Sequence, residues 1–211
     1  MRRFLFLCFI LLFPSFLRAQ SEWPIYAYGN SCSFRVPKTM ELRDPESYTG
    51  KFFVGFKDFV QMYDLDEIVF QQQGLNSDDI EVIRKASPLY ARIIIKTIEQ
   101  DDINQTDVSK LTQSEIKEID KDWKEEVKSY FPGKDFIWYP VVRKRLGGKL
   151  AMVTRYQRPS ALKNSNSPVY VEEYKFFLKG KMIRFTLSYR ISESSIWKDD
   201  FSKIMSTLSF N

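Results

Sequence analysis

The chain has 211 residues, 32 Lys plus Arg against 27 Asp plus Glu, 16% aromatics, two cysteines and no histidine. Length and composition predict one globular domain, whose α+β class follows from the element order below, and exclude a disordered or disulfide-stapled chain. The zero for histidine excludes Ser-His-Asp and Cys-His catalysis, in which imidazole carries the proton, and every histidine-ligated zinc, iron or copper site.

The first nineteen residues have the layout of a secretory signal peptide. Met1-Arg2-Arg3 is basic, residues 4 to 13 are an unbroken apolar run that includes Cys8, and Leu17-Arg18-Ala19 ends on a small residue. The run is shorter than the about 20 residues that cross a bilayer, and no later stretch approaches that length, so no transmembrane segment is predicted. Leu7 stands before Cys8 where a lipobox has Gly or Ala, which argues against lipidation. Cleavage after Ala19 leaves residues 20–211 as one domain, exported to a periplasm or the extracellular space. It removes three arginines and no acid, so the net charge falls from +5 to +2, and with it the case for nucleic acid as a partner.

Cys32 is then a single thiol. In Ser31-Cys32-Ser33-Phe34-Arg35-Val36 it alternates onto the same side of a strand as Phe34 and Val36, which predicts a buried, inert side chain. Further apolar stretches follow at residues 52–59, interrupted by Gly55, and at 66–71. A short helix over 77–85 precedes a strand over 90–98, whose three consecutive isoleucines, Ile93 to Ile95, suit a central position.

A long helix is predicted over 113–131. Thr112 and Glu115 have capping-box spacing, Leu111 can staple onto Ile116, and Ile116, Ile119, Trp123, Val127 and Tyr130 recur on one face. Lys121 with Glu125 and Asp120 with Lys124 are spaced for ion pairs on the other. Two hairpins come next, residues 136–146 with 149–157 around Gly147-Gly148, and 169–178 with 181–190 around Lys179-Gly180. A second helix over 194–207, capped by Ser192, carries Trp197, Phe201, Ile204, Met205 and Leu208 inward. The sum is an antiparallel β-sheet covered by helices.

Phe34-x-Val36-Pro37 near the start, the long middle helix, the closing hairpin over 169–190 and the terminal helix running into Leu208-Ser209-Phe210 resemble the PsbP-like α/β/α sandwich superfamily, which includes extrinsic proteins of photosystem II and secreted bacterial proteins. The resemblance implies a non-catalytic scaffold. Metal sites proposed in some members use histidine, so no functional residue carries over.

Nothing in the sequence points to a cofactor. Gly-rich phosphate loops are absent. Ser-x-x-Lys, a nucleophile motif that needs no histidine, occurs at 114/117, 160/163 and 195/198, about as often as chance supplies it. Asp64-Leu65-Asp66-Glu67 groups three carboxylates without the glycine and terminal glutamate of an EF-hand loop. Arg143, Lys144, Arg145 and Lys149 make one hairpin tip basic, with Arg143 and Arg145 on one face as candidate contacts for an anionic surface, or simply a solvated end. Trp138 and Tyr139 offer stacking surfaces for sugars, or core packing.

Glu172 is the leading candidate site residue. A two-residue turn at Lys179-Gly180 pairs Glu172 with Leu187 and Tyr170 with Tyr189, which sets one carboxylate in an apolar and phenolic stripe. Burial there would raise its pKa. The expectation is a secreted, non-catalytic binding or protein-interaction protein with a protein, small-molecule or glycan partner. The alternatives are a carboxylate-dependent hydrolase of the glycosidase kind, whose two acids need no histidine, and a carrier of an apolar ligand.

Overall fold

The structure, a computed structural model, describes residues 23–43, 53–56, 59–62, 66–100, 103–160 and 167–211. The expected signal peptide and Asp64-Leu65 of the acidic run lie outside them. Among the described residues the strands form two sheets. The larger has seven, in the order β3 (Met40–Leu42), β6 (Glu67–Gln72), β7 (Ala91–Glu99), β11 (Lys181–Arg190), β10 (Val169–Leu178), β9 (Lys149–Arg158), β8 (Ile137–Leu146). Every neighbouring pair in it is antiparallel. The smaller sheet runs β12 (Ser209–Phe210), β2 (Cys32–Arg35), β1 (Ile25–Tyr28), β5 (Phe59–Met62), β4 (Phe53–Phe56), with β1 and β5 parallel. Four helices complete the α+β fold: α1 (Ile80–Ala86), α2 (Gln105–Lys110), α3 (Gln113–Ser129) and α4 (Ser194–Ser206).

Side chains alternate across a strand, so each strand of the large sheet feeds two cores. On one face Ile93, Ile95, Phe176, Ile183, Phe185 and Leu187 are buried beneath the small sheet and α4. Phe34 of β2 meets Phe185 edge-on at 5.6 Å and Phe70 at 6.0 Å, and Phe210 of β12 lies 4.7 Å from Phe176. The small sheet is thus seated on aromatic contacts of the kind that add about 0.5–1.5 kcal/mol each beyond their burial. Its presence beside α4 is a feature the sequence pattern did not announce.

Cys32 is fully buried in this core, as its alternation with Phe34 and Val36 predicts. Loss of solvent around the thiolate pushes the thiol pKa up to about 12, with the Lys181 charge pulling weakly the other way. Since the unfolded thiol ionises first, near 9.0, the folded state keeps a proton that the unfolded state gives up, and stability falls as pH rises from 9.0 toward 12. Cys32→Ala is expected to lose that component of the alkaline slope, measured by urea unfolding at stepped pH. The native thiol should react with a disulfide reagent only after denaturant is added.

On the opposite face α2 and α3 cover β8 to β10, where Val108, Ile116, Val141, Met152 and Phe177 pack together. The Thr112–Glu115 capping box forms as expected: Thr112 N–H donates to Glu115 Oε2 at 2.6 Å, and Glu115 N–H donates to Thr112 Oγ1 at 3.3 Å. Two expectations for this helix are corrected. Asp120 does not turn to Lys124; its carboxylate accepts from Trp138 Nε1 at 2.9 Å and from the Val141 N–H at 2.7 Å, two donors that would otherwise go unmatched. Tyr130 is 65% exposed because α3 ends at Ser129, and Phe131 takes the inward place, stacked on Phe136.

The closing helix starts differently from its expected Ser192 cap. A 3-10 turn, Ile191–Glu193, leads into α4, and Ser192 is exposed. Glu193 is buried instead. It accepts from the Tyr90 N–H at 2.8 Å, from Trp197 Nε1 at 3.1 Å and from the Arg190 guanidinium at 3.0 Å. Arg190 also donates to the Pro88 carbonyl and lies over the Tyr90 ring. One carboxylate therefore ties α4 to the start of β7 and the end of β11, and the expected inward row of α4, Trp197 to Leu208, is buried behind it.

Candidate functional site

The hairpin register around Lys179-Gly180 is the one the sequence predicts, with Glu172 opposite Leu187 and Tyr170 opposite Tyr189. Across the other edge of β10, Glu172 lies opposite Arg155, and Tyr170 opposite Gln157, on β9. Arg155 in turn faces Tyr139 on β8. The result is a ledge on the β8–β11 side of the sheet, beside α4, carrying three tyrosines in sequence. Tyr139 and Tyr170 ring centroids are 6.4 Å apart, Tyr170 and Tyr189 5.4 Å, and Tyr189 meets Phe201 of α4 at 5.5 Å.

A β-bulge between Tyr139 and Val142 creates this arrangement. The extra residue shifts the β8 register, so Tyr139 faces the ledge and Trp138 turns to the α3 side, where it stacks on Tyr156 at 6.0 Å. Trp138 is thus a packing residue. Pro140, exposed on this edge strand, is suited to a bulge because it has no N–H to place in the ladder.

Polar groups line the ledge between the rings. Gln157 Nε2 donates to the Tyr139 hydroxyl at 2.5 Å, and the Arg155 guanidinium lies 6.0 Å over the Tyr139 ring. Arg155 Nε is buried without a hydrogen-bond partner. Tyr174, 3% exposed, lies beneath Lys144, whose ammonium is 5.6 Å from its ring centroid. Burial raises the pKa of Tyr170, Tyr174 and Tyr189, and the neighbouring Glu172 charge raises each further. All three phenols keep their protons at neutral pH and remain hydrogen-bond donors. Glu172 is half-buried among them.

The structure brings Glu172, Tyr170 and Tyr189 together and sets Arg143 and Arg145 apart from them. Arg143 projects to the opposite face and donates to the Val108 and Ser109 carbonyls of α2, both at 3.2 Å, while Arg145 is exposed and donates to Gly148 O. The arginine that shares a face with Glu172 is Arg155. Glu172 is the one acid that β8, β9, β10 and β11 place on this face. Of the acidic run, Asp66 gives its carbonyl to the Tyr28 hydroxyl and Glu67 lies 3.8 Å from Lys96. Among the described residues no three or more acids or cysteines are grouped so as to hold a metal ion, and no helix is long and apolar enough to cross a membrane.

No protein-family model matches this chain, and no curated protein matches it significantly. Solved structures to which it is similar include cyanobacterial PsbP (CyanoP) from Synechocystis, with 15% identity, TM-score 0.49, and coverage of 86% of this chain and 88% of that one. LpqN of Mycobacterium tuberculosis, described as involved in cell envelope biogenesis, has 11% identity and TM-score 0.44 over 85% of this chain and 83% of its own. The Ran-binding protein Mog1p of Saccharomyces cerevisiae has 10% identity and TM-score 0.42 over 84% and 88%. These are likenesses of architecture between remote sequences; the α+β class rests on the sheets and helices themselves.

Proposed function

We propose that this chain is an exported, non-catalytic binding protein that holds a glycan on the tyrosine ledge. The observation that carries the reading is the half-buried pair Tyr139 and Tyr170, backed by the buried Tyr189, with Glu172, Arg155 and Gln157 between the rings. Flat aromatic faces pack against the apolar faces of sugar rings, and carboxylate, guanidinium and amide groups match their hydroxyls. A hydrolase of the two-carboxylate kind needs a second acid about 5–9.5 Å from the first, and the four strands of the ledge supply Glu172 alone on this face. The N-terminal layout of basic start, apolar run and small residue supports export.

Calorimetric titration of the mature chain with a panel of soluble oligosaccharides tests this. At least one glycan should bind, and Tyr170→Ala should weaken it about tenfold, the loss of one stacking contact of about 1.4 kcal/mol. Hydrolysis of a glycan by the wild type, abolished in Glu172→Gln, would replace the reading with an enzymatic one, and failure of every glycan to bind would end it. N-terminal sequencing of the protein recovered from producing cells should begin at Gln20; an intact Met1 would overturn export.

A further inference from the structure

We infer that a second site, distant from the tyrosine ledge in the register of the sheet, binds a phosphate-bearing ligand. At the other end of the β10–β11 hairpin three turns meet. The β1–β2 turn contributes Asn30 and Ser31, the segment after Gly147-Gly148 contributes Lys149, and the β10–β11 turn contributes Lys179 and Lys181. They enclose an open cleft of about 530 Å³, with Leu178 and Phe210 as its apolar part. A second cleft of about 490 Å³ shares Asn30, Ser31 and Lys181 with it and has Asp66 in its lining.

Three lysines line the first cleft with no aspartate or glutamate; its other lining includes Asn211, the last residue, whose N–H donates to the Ser31 carbonyl at 3.2 Å. None of the three has a carboxylate within ion-pair distance among the described residues. Lys181 shows this best: its cross-strand neighbour on β7 is Glu99, yet its ammonium donates to Ser31 Oγ at 2.6 Å. Like charges in excess of their counter-charges repel, so an arrangement of three lysines of this kind is stabilised by an anion between them.

The site is held by backbone. The carbonyl of Leu208 lies 2.6 Å from where a Cβ on Gly147 would stand, so the turn before Lys149 is pressed against the chain leading into β12. Gln105 bridges β9 and β10 underneath, donating to the Leu150 and Phe177 carbonyls and accepting from the Leu150 N–H. Lysines act on phosphate as point charges, and the Asn30 amide and Ser31 hydroxyl supply neutral donors beside them. The cleft exceeds the size of a bare phosphate, and Leu178 with Phe210 gives an attached carbon skeleton somewhere to lie.

Glycerol 3-phosphate and vesicles containing phosphatidylglycerol are the probes for a soluble phosphate and a lipid headgroup. Titration of the mature chain, followed by amide NMR shifts and by co-sedimentation, should show binding to one of them, with shifts at residues 30, 31, 149 and 179–181. Lys149→Gln with Lys179→Gln should weaken that binding about tenfold, as loss of two charge contacts predicts. Lys124→Gln with Lys128→Gln on the exposed face of α3 should leave it unchanged. Both pairs lie at the surface and preserve the fold. Binding to neither probe, or an equal loss in the α3 pair, overturns the inference. It stands or falls independently of glycan binding at the ledge.

Discussion

Glu193→Ala is expected to destabilise the protein by about 3–5 kcal/mol, the cost of breaking a buried ion pair from one side. Three donors lose their acceptor at once: the Tyr90 N–H, Trp197 Nε1 and the Arg190 guanidinium. Arg190 is the costly one. It is only 8% exposed, and its Nε is already without a partner. In thermal unfolding the loss should appear as a fall of about 10 °C, given the scaling for a domain of this size. Replacing both partners, Arg190→Met with Glu193→Leu, should recover the share due to the unpaired guanidinium, while the Tyr90 N–H and Trp197 Nε1 still lack their acceptor. A single variant within about 1 kcal/mol of wild type would show that solvent reaches the network and that the pair does not anchor α4.

Phe185→Ala should be comparably damaging, about 3–5 kcal/mol, because the vacated space lies where the two sheets meet. Phe185 is fully buried and contacts Phe34 of β2 at 5.6 Å and Phe176 of β10 at 6.1 Å, edge-on to both. Truncation therefore removes the seat of β2 as well as the transfer energy of one ring. Phe185→Leu keeps most of the volume and should cost markedly less. Urea unfolding distinguishes them. Equal losses for the two variants would mean that ring geometry, and not filled volume, holds the small sheet in place.

The parts of this fold that were legible in the sequence are those with local causes. The capping box at Thr112 and the two-residue turn at Lys179-Gly180 each act within a few residues, and the register of β10 with β11 follows from the turn by counting. The same counting placed Glu172 beside tyrosines. It could not place Arg155 there, because β9 and β10 are joined by a long polar connection that fixes no register. Nor could it place Tyr139, since counting from Gly147-Gly148 without the bulge assigns it the wrong face. Helix α2, six residues long, was missed because its burial rests on Val108 alone, too few apolar positions for a period to show. The second sheet was invisible for a related reason. Its described strands have two to four residues each, and the pairings that assemble them into one sheet, β1 with β5 and β2 with β12, join segments distant in sequence.

The same bulge that turns Tyr139 toward the ledge bears on how the molecule keeps to itself. Among the described residues strand β8 is one of the two edges of the large sheet, β3 being the other, and it presents a row of backbone groups that another chain could extend. At the bulge this row is interrupted twice in succession: Pro140 has no N–H to offer, and the N–H of Val141 is directed inward to Asp120. Beyond them Arg143, Lys144 and Arg145 put a charge on every residue of the strand's next stretch. An incoming strand would meet missing donors and then repulsion from any basic edge, a second copy of β8 included. Asp120, on a helix across the layer, thus helps close the sheet against unwanted growth while fixing the face that carries its tyrosines.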